Sequence, residues 1–153
     1  MRILMVCLGN ICRSPLADGL LKSKVNTFGL DVVVDSAGTS SYHVGHPPDP
    51  RMRATARERG ISIDELEARQ FTVQDFNDFD LIYAMDRSNY QNIVDLARSE
   101  DDKSKVHLIL NESHPNKNLE VPDPYFGGDE GFIEVFQILD EATDAIINNR
   151  LKQ

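Results

Sequence analysis

Short apolar runs alternate along the chain with longer stretches in which apolar residues recur every three or four positions. A run of four or five apolar or β-branched residues is typical of a buried strand, and the longer period is typical of a helix with one buried face. Four strands are predicted, at residues 3–6, 31–35, 81–85 and 106–110. Four helices are predicted, at residues 14–28, 51–59, 87–98 and 129–149.

Strands that alternate with helices predict a parallel sheet, because each helix returns the chain to the same end of the sheet. We expect an α/β fold, a three-layer sandwich with a central four-stranded parallel sheet in the order 2-1-3-4 and helices on both faces. At 153 residues, of which 41 % are hydrophobic, the chain suits a single domain over residues 1–153. The remaining segments are predicted to be loops, turns or irregular structure: residues 39–50, 61–76, 100–105 and 111–128. The last of these segments is longer than most loops that only connect two elements, and this length favours a functional loop.

The connection between the first strand and the first helix contains two cysteines, a glycine and an arginine. A strand, a short loop and a helix N-terminus bring backbone N–H groups together around an anion, and the helix dipole adds to their positive potential. Ser14 followed by Pro15 is typical of a helix N-cap and first helical residue. Arg13 adds a planar fork of donors that matches two phosphoryl oxygens. The predicted phosphate-binding residues are Leu8, Gly9, Asn10, Ile11, Cys12 and Arg13.

Cys7 ends the first strand and stands beside this predicted phosphate site. Amide N–H groups and a nearby guanidinium favour the thiolate form of a cysteine. The sulfur could then attack phosphorus in line while the donors stabilise the equatorial oxygens, and the Ser14 hydroxyl could stabilise the sulfur as it leaves. By itself, a free cysteine is more often a small buried apolar residue. The spacing of Cys7, Arg13 and Ser14 between a strand and a helix favours the nucleophile.

The segment from Cys7 to Ser14 and a later Asp123-Pro124-Tyr125-Phe126 resemble the low-molecular-weight protein tyrosine phosphatase family, which includes relatives of arsenate reductase. The resemblance covers the whole chain and implies the fold predicted above. It also implies hydrolysis of phosphotyrosine through a cysteinyl phosphate, without a cofactor, by Cys7, Arg13 and Asp123. Three further stretches resemble the family in the expected order: residues 36–39, 45–51 and 85–86.

Asp123 is the predicted general acid. A carboxylic acid could donate a proton to the departing tyrosyl oxygen, and the carboxylate could then activate water against the phosphocysteine. Pro122 and Pro124 restrict the backbone on either side and would help to position the side chain. From the residues alone, an aspartate that stabilises a turn in a proline-rich loop is an equal alternative. The resemblance favours the acid.

Polar residues near the strand ends are predicted to support the loop. Asn10 tolerates a left-handed backbone conformation and could form a hydrogen bond with Ser36. Ser36 could equally be a strand-end cap. Asp86 could orient Arg13, although an aspartate directly before a helix is usually a cap. The resemblance favours loop support by Asn10, Ser14, Ser36 and Asp86.

Aromatic and apolar residues are predicted to form a substrate slot next to the loop. Tyr42 and Tyr125 could grip the two faces of a phosphorylated phenol ring. Such a slot would favour phosphotyrosine over phosphoserine by its reach and by stacking. The same aromatic residues could instead cover a small core of their own loops. The predicted slot residues are Leu8, Ile11, Tyr42, Tyr125 and Phe126.

Cys12 has two interpretations. It could pack beneath the loop, or it could capture oxidised Cys7 as a disulfide and prevent irreversible oxidation, and we favour the second. The related arsenate reductases relay a disulfide through further cysteines, and none follows Cys12 in this sequence. A non-catalytic phosphate-binding domain is another alternative, but binding alone requires neither Cys7 nor Asp123.

Charge and composition restrict the partners. The formal net charge of −9 argues against nucleic acid and against anionic membranes, which both bind basic patches. We expect a phosphotyrosine-containing protein as substrate, a tyrosine kinase being one candidate by resemblance, and inorganic phosphate or other oxyanions as ligands.

The four histidines lack metal-ligand spacing, so no metal site is predicted. Without an apolar stretch of about 18 residues or a signal-peptide pattern, the expected location is cytoplasmic, and the resemblance implies a monomer with weak self-association.

Overall fold

A four-stranded parallel sheet forms the centre of the structure, a computed structural model that describes residues 1–125 and 127–152. Its strands are β1 (Arg2–Cys7), β2 (Val33–Gly38), β3 (Leu81–Ala84) and β4 (Val106–Leu108). β1 pairs with both β2 and β3, and β4 pairs with β3, so the strand order is β2-β1-β3-β4. The predicted order and the parallel direction are confirmed.

Helices connect the strands, as the alternating pattern predicts. In the described residues they are α1 (Arg13–Thr27), α2 (Pro50–Glu58), α3 (Asp75–Asp78), α4 (Arg87–Val94), α5 (Glu100–Ser104), α6 (Leu110–Ser113) and α7 (Asp129–Ile146). A π-helical turn, Ile147–Leu151, continues α7. Side chains of α1, α2 and α7 pack on one face of the sheet, and those of α3 and α4 pack on the other. The three-layer α/β fold is therefore confirmed.

The side chains of β1 point alternately to the two faces of the sheet. Ile3 and Met5 belong to the core on the side of α1 and α7, whereas Leu4 and Val6 belong to the core on the side of α3 and α4. All four are fully buried, and each contributes about 1.5–3 kcal/mol of hydrophobic stabilisation. Burial on both faces explains why this strand is apolar at successive positions.

Several element boundaries differ from the sequence predictions. β2 begins at Val33, later than predicted, and continues to Gly38 because β1 extends to Cys7, which is paired with Gly38 in the register. Ser36 consequently lies within β2 rather than at its end. α4 ends at Val94, earlier than predicted, and the last residues predicted for α7 form the π-helical turn instead.

Two short helices lie where the sequence predicts a polar turn and part of a loop. α5 replaces the turn: the Ser99 hydroxyl accepts the N–H of Asp102, and three acidic residues in the first turn suit the positive end of a helix. α6 replaces the end of the predicted fourth strand and the start of the predicted loop at residues 111–128. Helices of five and four residues are too short to show a hydrophobic period.

Candidate active site

The carboxyl ends of β1, β2 and β3 meet at one edge of the sheet, where open parallel sheets bind their ligands. β1 ends at Cys7, β2 ends at Gly38, and Asp86 directly precedes α4 after β3. The connection between α6 and α7 adds Asp123. A cavity at this edge is lined by ten residues from the end of β1, the start of α1 and three loops: Cys7, Leu8, Gly9, Ile11, Cys12, Arg13, Tyr42, His43, Asp123 and Tyr125.

The phosphate loop, residues 8–12, turns between β1 and α1. Asn10 has a left-handed backbone conformation with a φ of 56°, which asparagine tolerates better than most residues. Its Nδ2 donates a hydrogen bond to Ser14 Oγ at 2.8 Å, and its Oδ1 accepts the backbone N–H of Arg69 at 3.1 Å. The Asn10 side chain therefore bonds to Ser14 and Arg69 rather than to Ser36 as predicted, because these two partners engage both ends of its amide.

Cys7 places its sulfur on the wall of this cavity, and only 3 % of the residue is exposed. The Sγ atom lies 3.0 Å from Ser14 Oγ and accepts the backbone N–H of Asn10 at 3.3 Å. Both groups can donate to a sulfur anion. Ser14 is not the N-cap that its sequence predicts: α1 begins at Arg13, and the Ser14 hydroxyl contacts the sulfur instead of capping the helix.

The end of β2 supports the phosphate loop. A Cβ atom on Gly38 would lie 2.8 Å from the carbonyl oxygen of Leu8, so only glycine allows the two segments to approach this closely. The same carbonyl accepts the N–H of Ser40 at 2.9 Å.

Ser36 lies earlier in β2, against the buried carboxyl group of Asp18. Burial raises the pKa of Asp18, and the ammonium group of Lys22, 3.0 Å from its Oδ1, opposes that shift more than the Ser36 hydroxyl does.

Arg13 is held in the first turn of α1 by two acceptors. Its Nη1 donates to Asp86 Oδ2 at 2.8 Å and to the carbonyl of Val121 at 2.9 Å. Burial alone would lower the pKa of the guanidinium, but Cys7, Asp86 and Asp123 raise it, so it stays charged. The other carboxylate oxygen of Asp86 caps α4. Both roles considered for Asp86 are therefore present.

Asp123 reaches the cavity from the loop between α6 and α7. Its Oδ2 lies 3.6 Å from Arg13 Nη2, and its Oδ1 accepts the N–H of Tyr125 at 3.1 Å. The side chain is 36 % exposed, so it can exchange protons with solvent. The structure thus brings the carboxyl group of Asp123, the guanidinium of Arg13 and the thiol of Cys7 to one cavity.

Four of the five predicted slot residues line the same cavity: Leu8, Ile11, Tyr42 and Tyr125. Tyr42 is 80 % exposed, so it is not covering a core of its own loop. Apolar and aromatic surface beside a phosphate loop suits a phosphorylated ring. Phe126, the fifth predicted slot residue, lies outside the described residues.

His43 also lines the cavity, although the sequence distinguished it only as one of four histidines without metal-ligand spacing. A Cβ atom on Gly9 would lie 3.0 Å from His43 Cδ2, so the imidazole packs directly on the phosphate loop. The centroid of its ring is 6.2 Å from that of Tyr125 and 5.8 Å from that of His46. Its position next to Tyr42 in the sequence is the signal that could have identified it.

Cys12 occupies the N-cap position of α1 and lines the cavity with Cys7. Only 4 % of the residue is exposed, and neither cysteine is in a disulfide. Burial, followed by the proximity of Asp49 and Cys7, raises the pKa of the Cys12 thiol far above its usual range. Cys12 is therefore a neutral thiol at pH 7, which does not suit a nucleophile in phosphoryl transfer.

The described part of the chain also bears on metal binding and on membrane insertion. Across residues 1–125 and 127–152, no group of three His, Cys, Asp or Glu side chains is arranged to hold a metal ion. Over the same residues, every helix is too short or too polar to cross a bilayer.

A cysteine and an arginine lie at the two ends of one loop, with an aspartate beside them, and this arrangement suits a phosphatase that uses a cysteine. The family model described as low molecular weight phosphotyrosine protein phosphatase matches residues 2–153. The chain belongs to this family, and it is a protein-tyrosine phosphatase, a hydrolase of phosphate monoesters.

Individual relatives agree along nearly the full length. A relative from Synechocystis is 43 % identical, over 100 % of this chain and 98 % of its own. A low molecular weight phosphotyrosine protein phosphatase of Schizosaccharomyces pombe is 40 % identical, over 91 % of this chain and 90 % of its own. A crystal structure of a protein tyrosine phosphatase from Entamoeba histolytica has a TM-score of 0.91 and 41 % identity, covering 97 % of this chain and 96 % of that chain.

Proposed function

We propose that Cys7 is the nucleophile in a two-step hydrolysis of phosphotyrosine. In the first step, the Cys7 thiolate attacks phosphorus, an S–P bond forms, and the bond between phosphorus and the tyrosyl oxygen breaks. The N–H groups of the phosphate loop and the guanidinium of Arg13 stabilise the charge on the equatorial oxygens. The hydroxyl of Ser14, 3.0 Å from the sulfur, stabilises the thiolate before attack and after its release.

Asp123 acts in both steps. Its protonated carboxyl group donates a proton to the departing tyrosyl oxygen, so tyrosine leaves as a neutral phenol. The resulting carboxylate then removes a proton from water, whose oxygen attacks the cysteinyl phosphate. The S–P bond breaks, Cys7 is released as a thiolate, and inorganic phosphate leaves.

The observation that carries this proposal is the convergence of Cys7, Arg13 and Asp123 on one cavity. A phosphate-binding domain needs the phosphate loop and Arg13, but it needs neither a reactive thiol nor a carboxyl group beside the bound anion. Arsenate reduction needs additional cysteines to relay a disulfide, and the sequence has none after Cys12. The arrangement therefore supports phosphoryl transfer better than either alternative.

The proposed substrate is a phosphotyrosine side chain in a protein. The aromatic rings of Tyr42 and Tyr125 flank the phosphate loop and can contact a phenol ring, which phosphoserine lacks. A tyrosine kinase is the partner we propose on family resemblance, and inorganic phosphate and other oxyanions are expected product or inhibitor ligands. The proposal includes a cytoplasmic location, because a reducing compartment preserves the Cys7 thiol.

The purified protein is expected to hydrolyse para-nitrophenyl phosphate without added metal. EDTA should leave the rate unchanged, because every step is assigned to side chains, and vanadate should inhibit by occupying the phosphate loop. On matched peptides, kcat/KM should be about 100-fold higher for phosphotyrosine than for phosphoserine. Binding of inorganic phosphate without release of para-nitrophenol would instead establish the non-catalytic alternative.

Peroxide is expected to link Cys7 and Cys12 in a disulfide that dithiothreitol reduces. Peroxide converts the Cys7 thiolate to a sulfenic acid. Cys12 then loses its proton as its sulfur attacks that of Cys7, and the proton leaves with the hydroxyl group of the sulfenic acid as water. The link should appear in mass spectra of digested protein, and activity should return on reduction.

The matched variant is Cys12→Ser, which lacks the second thiol. After the same peroxide treatment, its activity should not return with dithiothreitol, because Cys7 proceeds to the sulfinic acid. Equal recovery of parent and variant, or a parent without the Cys7–Cys12 link, contradicts redox protection by Cys12.

A further inference from the structure

Arg51 lies in the first turn of α2, outside the cavity lining, and is fixed by the N-cap residue Asp49. The Arg51 Nε and Nη2 atoms donate to Asp49 Oδ1 and Oδ2 at 3.2 Å and 3.1 Å. The backbone N–H of Arg51 donates to the same carboxylate at 2.8 Å. Asp49 is only 8 % exposed, so this bidentate pair holds the guanidinium in one orientation.

From that position, Arg51 reaches the loop that carries Asp123. Its Nη2 donates to the carbonyl of Tyr125 at 2.9 Å, and its Nη1 donates to the carbonyl of Gly127 at 3.3 Å. The guanidinium also lies over the ring of Phe132 in α7, 4.6 Å from its centroid. Arg51 thus contacts the backbone directly after the proposed general acid and the helix that follows.

Asp49 connects the same unit to the phosphate loop. Its backbone N–H donates to the carbonyl of Ile11 at 2.8 Å. Asp49 and Arg51 therefore link two segments that are far apart in the sequence, the phosphate loop and the Asp123 loop. Residues in this position can set the distance between the group proposed to bind phosphate and the group proposed to transfer the proton.

The Asp123 loop is anchored separately on its N-terminal side. The N–H of Val121 donates to the carbonyl of Met85 at 2.9 Å, and the carbonyl of Val121 accepts from Arg13. After Asp123, the backbone hydrogen bonds that the described part of the loop makes to itself are local, such as that from the N–H of Gly127 to the carbonyl of Pro124 at 3.0 Å. The hydrogen bonds from Arg51 connect this C-terminal side of the described loop to α2, which is distant in the sequence.

We infer that Arg51 is a positioning residue that sets the place of the Asp123 carboxyl group relative to the phosphate loop. The inference rests on the proposed role of Asp123 as general acid. It assigns to Arg51 an effect on proton transfer to the leaving group, exerted through Asp123. It assigns to Arg51 no contact with the phosphoryl group.

The test compares two substrates that differ in their need for the acid. Dinitrophenolate leaves phosphorus readily without a proton, whereas phenolate needs one. The Arg51→Gln variant should lose about tenfold in kcat/KM for phenyl phosphate. It should stay within about twofold of the parent for 2,4-dinitrophenyl phosphate and for inhibition by inorganic phosphate. The parameter kcat/KM isolates the first chemical step, in which the leaving group departs.

Arg53→Gln is the matched control. Arg53 is on the same helix, but its Nε pairs with Asp64 at 3.0 Å. This variant should match the parent on both substrates. Arg51→Lys provides a second variant that keeps the positive charge but has one terminal nitrogen in place of the guanidinium fork, so it should show the same selective loss. Melting temperatures of all variants are measured alongside.

Equal losses on the two substrates, weaker inhibition by phosphate, or unchanged activity on both substrates in folded Arg51 variants would overturn the inference. The first two results would mean that Arg51 supports the phosphate loop through Asp49, and the third that its contacts do not position Asp123. Failure of the proposed function looks different, because the parent itself would then fail to hydrolyse either ester or would not depend on Cys7.

Discussion

Replacing Cys7 by serine is expected to lower kcat/KM for para-nitrophenyl phosphate by about 10⁴-fold or more. A serine hydroxyl is not ionised at neutral pH and needs a neighbouring base. The contacts described for the Cys7 sulfur are the Ser14 hydroxyl and the N–H of Asn10, and neither is a base. The measurement is the steady-state rate of phenol release by Cys7→Ser beside the parent.

Phosphate affinity separates lost chemistry from lost structure in this variant. Serine is similar in shape to cysteine and keeps a polar group at this position, so the affinity of Cys7→Ser for inorganic phosphate, measured by calorimetry, should equal or exceed that of the parent. The loop should remain in place because Asn10 keeps its bonds to Ser14 and Arg69. Activity within about tenfold of the parent would exclude Cys7 as the nucleophile.

Replacing Asp123 by asparagine is expected to lower kcat/KM for phenyl phosphate by about 10²–10³-fold. The amide has nearly the same shape as the carboxyl group but cannot donate a proton as an acid. The loss should be less than about tenfold for 2,4-dinitrophenyl phosphate, whose leaving group departs unprotonated. A plot of kcat/KM against leaving-group basicity should therefore be steeper for the variant than for the parent.

The anion-binding part of the site provides the control for Asp123→Asn. The carboxylate lies 3.6 Å from Arg13 Nη2, so its removal should leave phosphate affinity unchanged or slightly higher. Asp101→Asn, an identical chemical change in the first turn of α5, should have no effect on either substrate. If both esters lose activity equally in Asp123→Asn, the aspartate supports the loop and does not transfer the proton.

The parts of the site that are close in the sequence could be predicted from it. Cys7 and Arg13 flank a single loop between a strand and a helix. The apolar run of the strand and the three- to four-residue apolar repeat of the helix are enough to predict that arrangement. The strand order 2-1-3-4 is the simplest that places the first strand at the centre with helices on both faces, and the family resemblance implies the same fold. Asp123 needed the family resemblance, because its loop has no period and an aspartate between prolines is also a common turn residue.

Contacts made to the backbone could not be predicted, because a carbonyl or an N–H group carries no sequence signature. Arg51 bonds to the carbonyl of Tyr125, and Asn10 bonds to the N–H of Arg69 rather than to Ser36. For Ser14 the sequence suggested two roles, and its hydroxyl contacts the Cys7 sulfur as predicted but does not cap α1. For Asn10, tertiary contacts replace the partner that the sequence suggested.

The most direct test of the account is to trap the phosphorylated enzyme. Asp123→Asn protein is mixed with 2,4-dinitrophenyl phosphate, quenched in acid and digested for mass spectrometry. Because the variant is phosphorylated readily but hydrolyses its intermediate slowly, one phosphoryl group should appear on the peptide that contains Cys7 and should be absent when Cys7 is also serine. Phosphate on another residue, or release of dinitrophenol with an unmodified Cys7, would contradict the proposed nucleophile.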